Sequence, residues 1–397
     1  MHITPSQRAS KVTYAIRNIV HEAKKVEALG KKVIYCNIGD PNKFDFRTPP
    51  AMIEAVHQAM LKGENGYAPS SGIQEAREAV ARHAREHNGI DTNPEMVFIT
   101  AGASEAIEIA LTALLDVGDD VLTPAPGYPL YHAVVTKIGA RLNPYYLDEA
   151  RGWLPDLEDI KAKITPRTKG IVIINPNNPT GAVYDRETLL SIIEIARSRR
   201  LIIFADEIYD KLIFDKSHIS LASLCDDVPV ITLNGLSKSY LAPGWRTGWM
   251  IIKNLKATDE YFLTIRKLLD ARLCSVGPQQ FAIKAALEGS QDHIRETLAK
   301  LRERRDLIHS RLNSIGGISC VKPESAFYAM PRLDSERFAT DEDFVLELVR
   351  ETGVLFVHGS GFEIKPGKKY FRVVYLPQTA LLKEALDLLE HFMKKKG

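Results

Sequence analysis

The order of residues predicts an α/β protein with a mostly parallel, buried sheet and a second, smaller α+β unit. Short β-branched runs alternate with amphipathic stretches through the first two-thirds of the chain, the pattern of strands joined by helices. Several of these runs end in polar residues, at the edge where such a sheet places its ligands. After about residue 285 the pattern changes to a long charged helix and scattered strand-like pieces, so the carboxyl-terminal part reads as a separate unit.

The strand-like runs are Met96-Val97-Phe98-Ile99, Asp120-Val121-Leu122-Thr123, Gly170-Ile171-Val172-Ile173-Ile174, Leu201-Ile202-Ile203-Phe204, Val228-Pro229-Val230-Ile231-Thr232-Leu233 and Gly248-Trp249-Met250-Ile251-Ile252. Helices are expected between most of them. Ile107, Leu111 and Leu114 repeat at helical spacing after Ser104, which reads as an amino-terminal cap with Glu105 and Glu108 following. Farther on come a helix over about Gln291 to Leu312, strands at Ile318 to Val321, Phe327 to Met330, Val354 to Val357 and Tyr370 to Tyr375, and a closing amphipathic helix around Leu381 to Phe392. The chain has no internal repeat and no Pro-, Gly- or Ser-rich linker, so the two units are expected to pack together.

Composition narrows the function. The chain has 397 residues, 45% hydrophobic and 26% charged, an ordinary globular balance that excludes disorder and fibrous classes. With 52 basic and 50 acidic side chains the net charge is +2, too small for a long-range field, so nucleic acid and membrane surfaces are not expected partners and a small molecule is. Cys36, Cys225, Cys274 and Cys320 form no CxxC pair and read as buried thiols. The amino terminus has no apolar run of signal-peptide length and no stretch reaches membrane-span length, so a cytoplasmic location is expected.

Four segments carry chemistry. Asn175-Pro176-Asn177-Asn178-Pro179-Thr180-Gly181 follows a strand as a rigid turn, and alone is as well explained as punctuation. Asp206-Glu207-Ile208-Tyr209 puts a carboxylate at the end of an apolar strand, which is costly unless a cation or donor meets it; a structural ion pair explains it equally well. In Asn234-Gly235-Leu236-Ser237-Lys238, a desolvated lysine near Arg246 would lose its proton readily, the requirement for an imine with an aldehyde cofactor, whereas most lysines are solvated surface charges. Arg372 lies inside the apolar strand Phe371-Arg372-Val373-Val374, where a guanidinium suits a bidentate carboxylate.

Taken together, Asn-Pro-x-Asn-Pro-Thr-Gly, then Asp-x-x-Tyr, then Ser-Lys with Pro-Gly-Trp-Arg-x-Gly, then a strand-borne Arg resemble the class I and II aminotransferases of fold type I. The wording Asn37-Ile38-Gly39-Asp40-Pro41, Asn234-Gly235-Leu236-Ser237-Lys238 and Leu355-Phe356-Val357-His358-Gly359 is similar to the prokaryotic alanine (glutamate-pyruvate) branch. The resemblance spans nearly the whole chain. It implies a large domain over 48–285 with a seven-stranded mostly parallel sheet, and a small domain over 286–397 joined by an amino-terminal segment over 1–47. It also implies pyridoxal 5′-phosphate as cofactor, amino acids and 2-oxo acids as substrates, and a homodimer with shared active sites.

Residue by residue, the resemblance makes Lys238 the Schiff-base and proton-transfer residue and Asp206 the partner of the pyridinium nitrogen. Tyr209 and Asn178 would bond the phenolic oxygen and Tyr128 would stack on the ring. Gly102, Ala103, Ser104, Ser237 and Arg246 would hold the phosphate, with Tyr67 from the neighbouring subunit. Arg372, Gly39, Asn178 and Tyr128 would meet the substrate, and Arg17 is the candidate for a distal carboxylate. Many relatives have a serine three residues before the lysine; here that position is Gly235.

Against this stand a C–S β-lyase on the same scaffold, an aminotransferase of aspartate, valine or aromatic preference, and a regulator with an aminotransferase-like domain. The last is disfavoured because only 36 residues precede Asn37, too few for an added DNA-binding domain. His83 and His87 have the i, i+4 spacing of a zinc site, but no glutamate follows His83 and arginines flank it, so a solvated helix face is expected and no metal is.

Overall fold

The structure is a computed structural model describing residues 3–12 and 19–396. Strand β1 (Ile34–Tyr35) lies near the start. β2 (Val97–Thr100), β3 (Asp120–Ala125), β4 (Arg141–Asp148), β5 (Leu154–Pro155), β6 (Thr168–Ile174), β7 (Ile202–Asp206), β8 (Val230–Gly235) and β9 (Gly248–Lys253) form one sheet, in the order β2-β9-β8-β7-β6-β3-β4-β5. The pairs β3–β4, β3–β6, β6–β7 and β7–β8 are parallel, while β9 and the edge strand β5 run antiparallel to their neighbours. This sheet has eight strands rather than the seven expected, the addition being two-residue β5, which pairs through Leu147–Pro155 and Asp148–Leu154.

Both faces of the sheet are covered, which is why its strands read as continuous apolar runs rather than alternating ones. On one face Ile99, Leu122, Ile171, Ile173 and Ile203 pack with Val80, Leu189 and Ile192 from flanking helices. On the other, Phe98, Val172, Phe204, Ile231 and Met250 pack with Ile107, Leu111 and Phe262. β4 was missed by the sequence reading because it contains Asn143-Pro144 and is only partly buried, so no apolar run marks it.

The remaining strands are short: β10 (Ile318–Ser319), β11 (Tyr328–Ala329), β12 (Arg332–Leu333), β13 (Val354–Leu355), β14 (Val357–His358) and β15 (Phe371–Val374). The long helix runs Asp292–Ser314 and the closing helix Thr379–Lys396. Amino-terminal residues join this part of the molecule. β1 pairs in parallel with β13 through Ile34–Val354, and Ala23, Val26, Ile34 and Cys36 share a core with Leu301, Ile308, Phe344, Leu348 and Phe371.

Two local expectations are corrected. Ser104 does not cap its helix: the helix is Ala103–Leu114, its cap is Gly102, and Ser104 sits in the first turn. His83 is not on a solvated face, since it turns inward with both ring nitrogens unpartnered and burial pushes its pKa down to about 3, while His87 is exposed. Cys36, Cys225 and Cys320 are buried as expected and Cys274 is half-buried. Among the described residues no helix is long and apolar enough to cross a membrane.

Candidate active site

The carboxyl ends of the parallel strands converge on one cavity of about 580 Å³. β7 ends in Asp206, paired with Ile174 at the end of β6 and Leu233 near the end of β8, so three strand ends lie side by side. The turn after β8 brings Lys238 to the cavity. Its Nζ donates to the Gly39 carbonyl oxygen at 2.7 Å and lies 5.6 Å from the centre of the Phe327 ring. Burial is the main influence on this amine and pushes its pKa down to about 8; Asp40 opposes the shift, Arg372 and Arg246 add to it, and Asp206 opposes it again.

Asp206 is buried, with Oδ2 accepting from the Tyr131 hydroxyl at 3.1 Å and Oδ1 from the Ile208 amide at 3.3 Å. Burial still dominates and raises the carboxyl to about 6. Three residues beyond Asp206, in the turn that follows β7, the Tyr209 hydroxyl meets that of Tyr328 at 3.0 Å, and burial raises its pKa well above the ordinary range.

Arg372 is 1% exposed, the largest side chain so fully enclosed. Its Nη1 donates to Asn178 Oδ1 at 3.0 Å and Nη2 to the Asn37 carbonyl at 2.8 Å, and its guanidinium carbon lies 4.6 Å from the Tyr328 ring centre and 4.8 Å from that of Phe362. These contacts hold the fork rigid at the cavity wall. With the Asn178 oxygen engaged by Arg372, its NH2 is left as a donor.

At the other end, the helix Ala103–Leu114 points its amino terminus at the cavity. Arg246 Nη2 donates to the Ala101 carbonyl and to Ser104 Oγ, both at 3.3 Å. Gly102 has φ 77°, and a Cβ there would stand 2.4 Å from Arg246 Nη2, so a backbone cradle lies directly under a guanidinium. This combination fits pyridoxal phosphate: anion donors for the phosphate at one end, and at the other a buried carboxylate held above its usual range for want of a positive partner, with a deprotonatable amine beside it.

Ser237, Tyr128 and Gly39 also line the cavity. At Gly39 a Cβ would lie 2.1 Å from Tyr328 Oη, so no side chain is accommodated without displacing that ring. Tyr67 does not line the cavity and is 83% exposed. Arg17 lies outside the described residues. Gly235 faces Gly248 across β8 and β9, and a Cβ there would sit 2.8 Å from both Gly248 Cα and the Thr247 carbonyl oxygen. The neighbouring strand's backbone therefore fills the space a serine would need.

Three residues of this site were not anticipated. Tyr131 lies in the first turn of the helix Pro129–Ile138, three positions after its cap Tyr128, a closeness that could have flagged it. Asp40 and Tyr328 lie in stretches whose sequence reads as a turn and an apolar strand, and only the fold brings them to Lys238 and Tyr209.

The family described as "Aminotransferase class I and II" matches residues 31–389. The glutamate-pyruvate aminotransferase AlaA of Escherichia coli is 42% identical over 402 residues, covering 98% of each chain. The structure of an alanine aminotransferase from Pyrococcus furiosus superposes with a TM-score of 0.97 at 46% identity, covering 99% of this chain and 100% of that one. A double mutant of aspartate aminotransferase from Thermus thermophilus superposes with a TM-score of 0.90 at 29% identity, covering 98% and 100%. The chain belongs to the class I and II aminotransferases, pyridoxal-phosphate-dependent enzymes that exchange amino groups between amino acids and 2-oxo acids.

Proposed function

We propose that the chain moves the amino group of L-alanine to 2-oxoglutarate, giving pyruvate and L-glutamate in two alternating half-reactions. The observation that carries this reading is a single cavity holding a lysine amine with lowered pKa, a buried carboxylate and a rigid buried arginine. The preference for alanine is supported by the glutamate-pyruvate aminotransferase at 42% identity and the alanine aminotransferase at 46%.

Bound pyridoxal phosphate supplies the electron sink that takes up the electron pair when the substrate Cα–H bond breaks. Lys238 Nζ would hold the cofactor and, as a free amine, would take the proton from the substrate Cα and return one, a task suited to an amine whose pKa is lowered to about 8. Asp206 would accept from the protonated ring nitrogen, and Tyr131 holds that carboxylate in place. Tyr209 and Asn178, which line the same cavity, would donate to the phenolic oxygen, and Tyr128 would stack on the ring. The Ala103 amide, the hydroxyls of Ser104 and Ser237, and Arg246 would take the phosphate, with Gly102, whose own amide donates to the Thr100 carbonyl at 2.7 Å, leaving room for it under the guanidinium. Arg372, with the Gly39 amide, clamps the substrate α-carboxylate and fixes the direction of the Cα–H bond.

The same proposal includes a homodimer in which Tyr67 of the partner subunit completes the phosphate site; the exposure of Tyr67 supports it. It includes division of the chain into 1–47, 48–285 and 286–397, supported by the separate core that unites the terminal parts. A cytoplasmic location is supported by cysteines that are all unpaired.

The test is the purified protein with added pyridoxal phosphate, L-alanine and 2-oxoglutarate. Pyruvate and glutamate formed in equal amounts without ammonia would bear the reading out. Release of ammonia from a sulfur amino acid would assign a β-lyase instead, and turnover only with aspartate, valine or aromatic donors would overturn the alanine preference.

A further inference from the structure

An enzyme of this proposed function meets two unlike side chains in one cavity, the methyl of alanine and the distal carboxylate of a five-carbon dicarboxylate. Part of the cavity wall is apolar, formed by Val20, Ile38, Ile107 and Ile174. That wall suits a methyl and cannot offset the desolvation of a second carboxylate. Among the described residues four cations line the cavity: Lys43, Lys238, Arg246 and Arg372. Lys238 is hydrogen-bonded to Gly39, Arg246 to Ala101, Pro243 and Ser104, and Arg372 to Asn178 and Asn37. Lys43, exposed like Arg246, differs from all three in that its ammonium makes no hydrogen bond or ion pair among the described residues.

The backbone of Lys43 is well fixed. It ends the short turn Pro41–Lys43, whose cap Asp40 accepts from the Asn42 amide at 3.1 Å, and the Phe44 amide closes the turn onto the Pro41 carbonyl at 3.0 Å. Four residues earlier, Gly39 is held between Lys238 and Tyr328. A flexible ammonium is thus carried on a rigid base whose near end touches the catalytic amine. Such a flexible side chain can reach either into water or towards a carboxylate in the cavity.

We propose that Lys43 is the specificity-determining cation for the distal carboxylate of 2-oxoglutarate and glutamate, leaving alanine and pyruvate to the apolar wall. This rests on the aminotransferase reading given above. The test compares the two half-reactions of the cofactor-loaded wild type, Lys43→Met and Lys43→Arg. In Lys43→Met the KM for 2-oxoglutarate and for L-glutamate is expected to rise about tenfold, the equivalent of one charged hydrogen bond. The KM for alanine and pyruvate stays at the wild-type value, which also controls for folding, and Lys43→Arg restores most of the loss. Added salt raises the wild-type KM for 2-oxoglutarate and has little effect on that of Lys43→Met. Equal KM values for the dicarboxylates in wild type and Lys43→Met would overturn the proposal. So would a weaker cofactor Kd without a substrate effect, which would put Lys43 on the phosphate. Failure of the wild type itself to use alanine would refute the functional reading rather than the role of Lys43.

Discussion

The Tyr131 hydroxyl donates to Asp206 Oδ2 at 3.1 Å, and it is the side-chain donor that moderates a carboxylate otherwise pushed up by burial. A hydrogen bond to the charged form favours that form, so its removal raises the carboxyl further above about 6. Tyr131→Phe is expected to weaken cofactor binding by about tenfold, the value of one hydrogen bond to a charged group. The loss should grow as pH falls towards 6, because more of Asp206 is then protonated. A pH series of cofactor Kd values checks this.

Asp206→Asn separates stability from function. The folded carboxyl titrates near 6 against an ordinary value of 3.8, so the folded state holds the proton more tightly. The stability this gives is present in full below pH 3.8 and is lost as pH rises through 6. Asparagine resembles the protonated form. The cofactor-free variant should therefore melt higher than wild type at neutral pH, with the gap closing as pH falls through 6, while turnover of the loaded enzyme drops by about two orders of magnitude or more. Melting curves across pH and steady-state rates check the two halves separately.

Gly235→Ser tests whether the glycine is merely a missing phosphate ligand. A side chain there meets Gly248 Cα and the Thr247 carbonyl oxygen at 2.8 Å, both backbone atoms that cannot swing away. The variant is expected to lose about 1–3 kcal/mol of stability, with no tightening of the cofactor. Thermal melting and cofactor titration check it.

Arg372→Lys replaces a fork with a point charge. With no second arm, it cannot both satisfy Asn178 and the Asn37 carbonyl and meet a carboxylate in two-point fashion. Because every substrate carries the α-carboxylate, kcat/KM should fall about a hundredfold for alanine and 2-oxoglutarate alike. Steady-state kinetics with both substrates would reveal any selective loss, which would contradict the assignment.

The sheet was legible where burial is two-sided. β3, β6, β7, β8 and β9 fall within two residues of the runs read from sequence because Val, Ile and Leu fill both faces. β4 was not, since its partly exposed faces allow Asn143, Pro144 and two tyrosines. The polar residues at strand ends were legible as motifs, and their meeting at one cavity follows from parallel strands sharing a carboxyl edge. Tyr328 and Asp40 were invisible because their roles arise only when β11 and the turn at Pro41 fold over the sheet. Ser104 was misread because Gly102, at φ 77°, ends the loop that caps the helix, a backbone solution that needs no side-chain oxygen.

The proposed chemistry turns on Lys238. The most direct measurement is borohydride reduction of the pyridoxal-phosphate-loaded protein followed by peptide mapping. The cofactor mass should appear on Lys238, and its rate of attachment to the cofactor-free protein should rise with pH through about 8 as the buried amine loses its proton. Attachment to another lysine, such as the buried Lys253, or no stable attachment at all, would contradict the account.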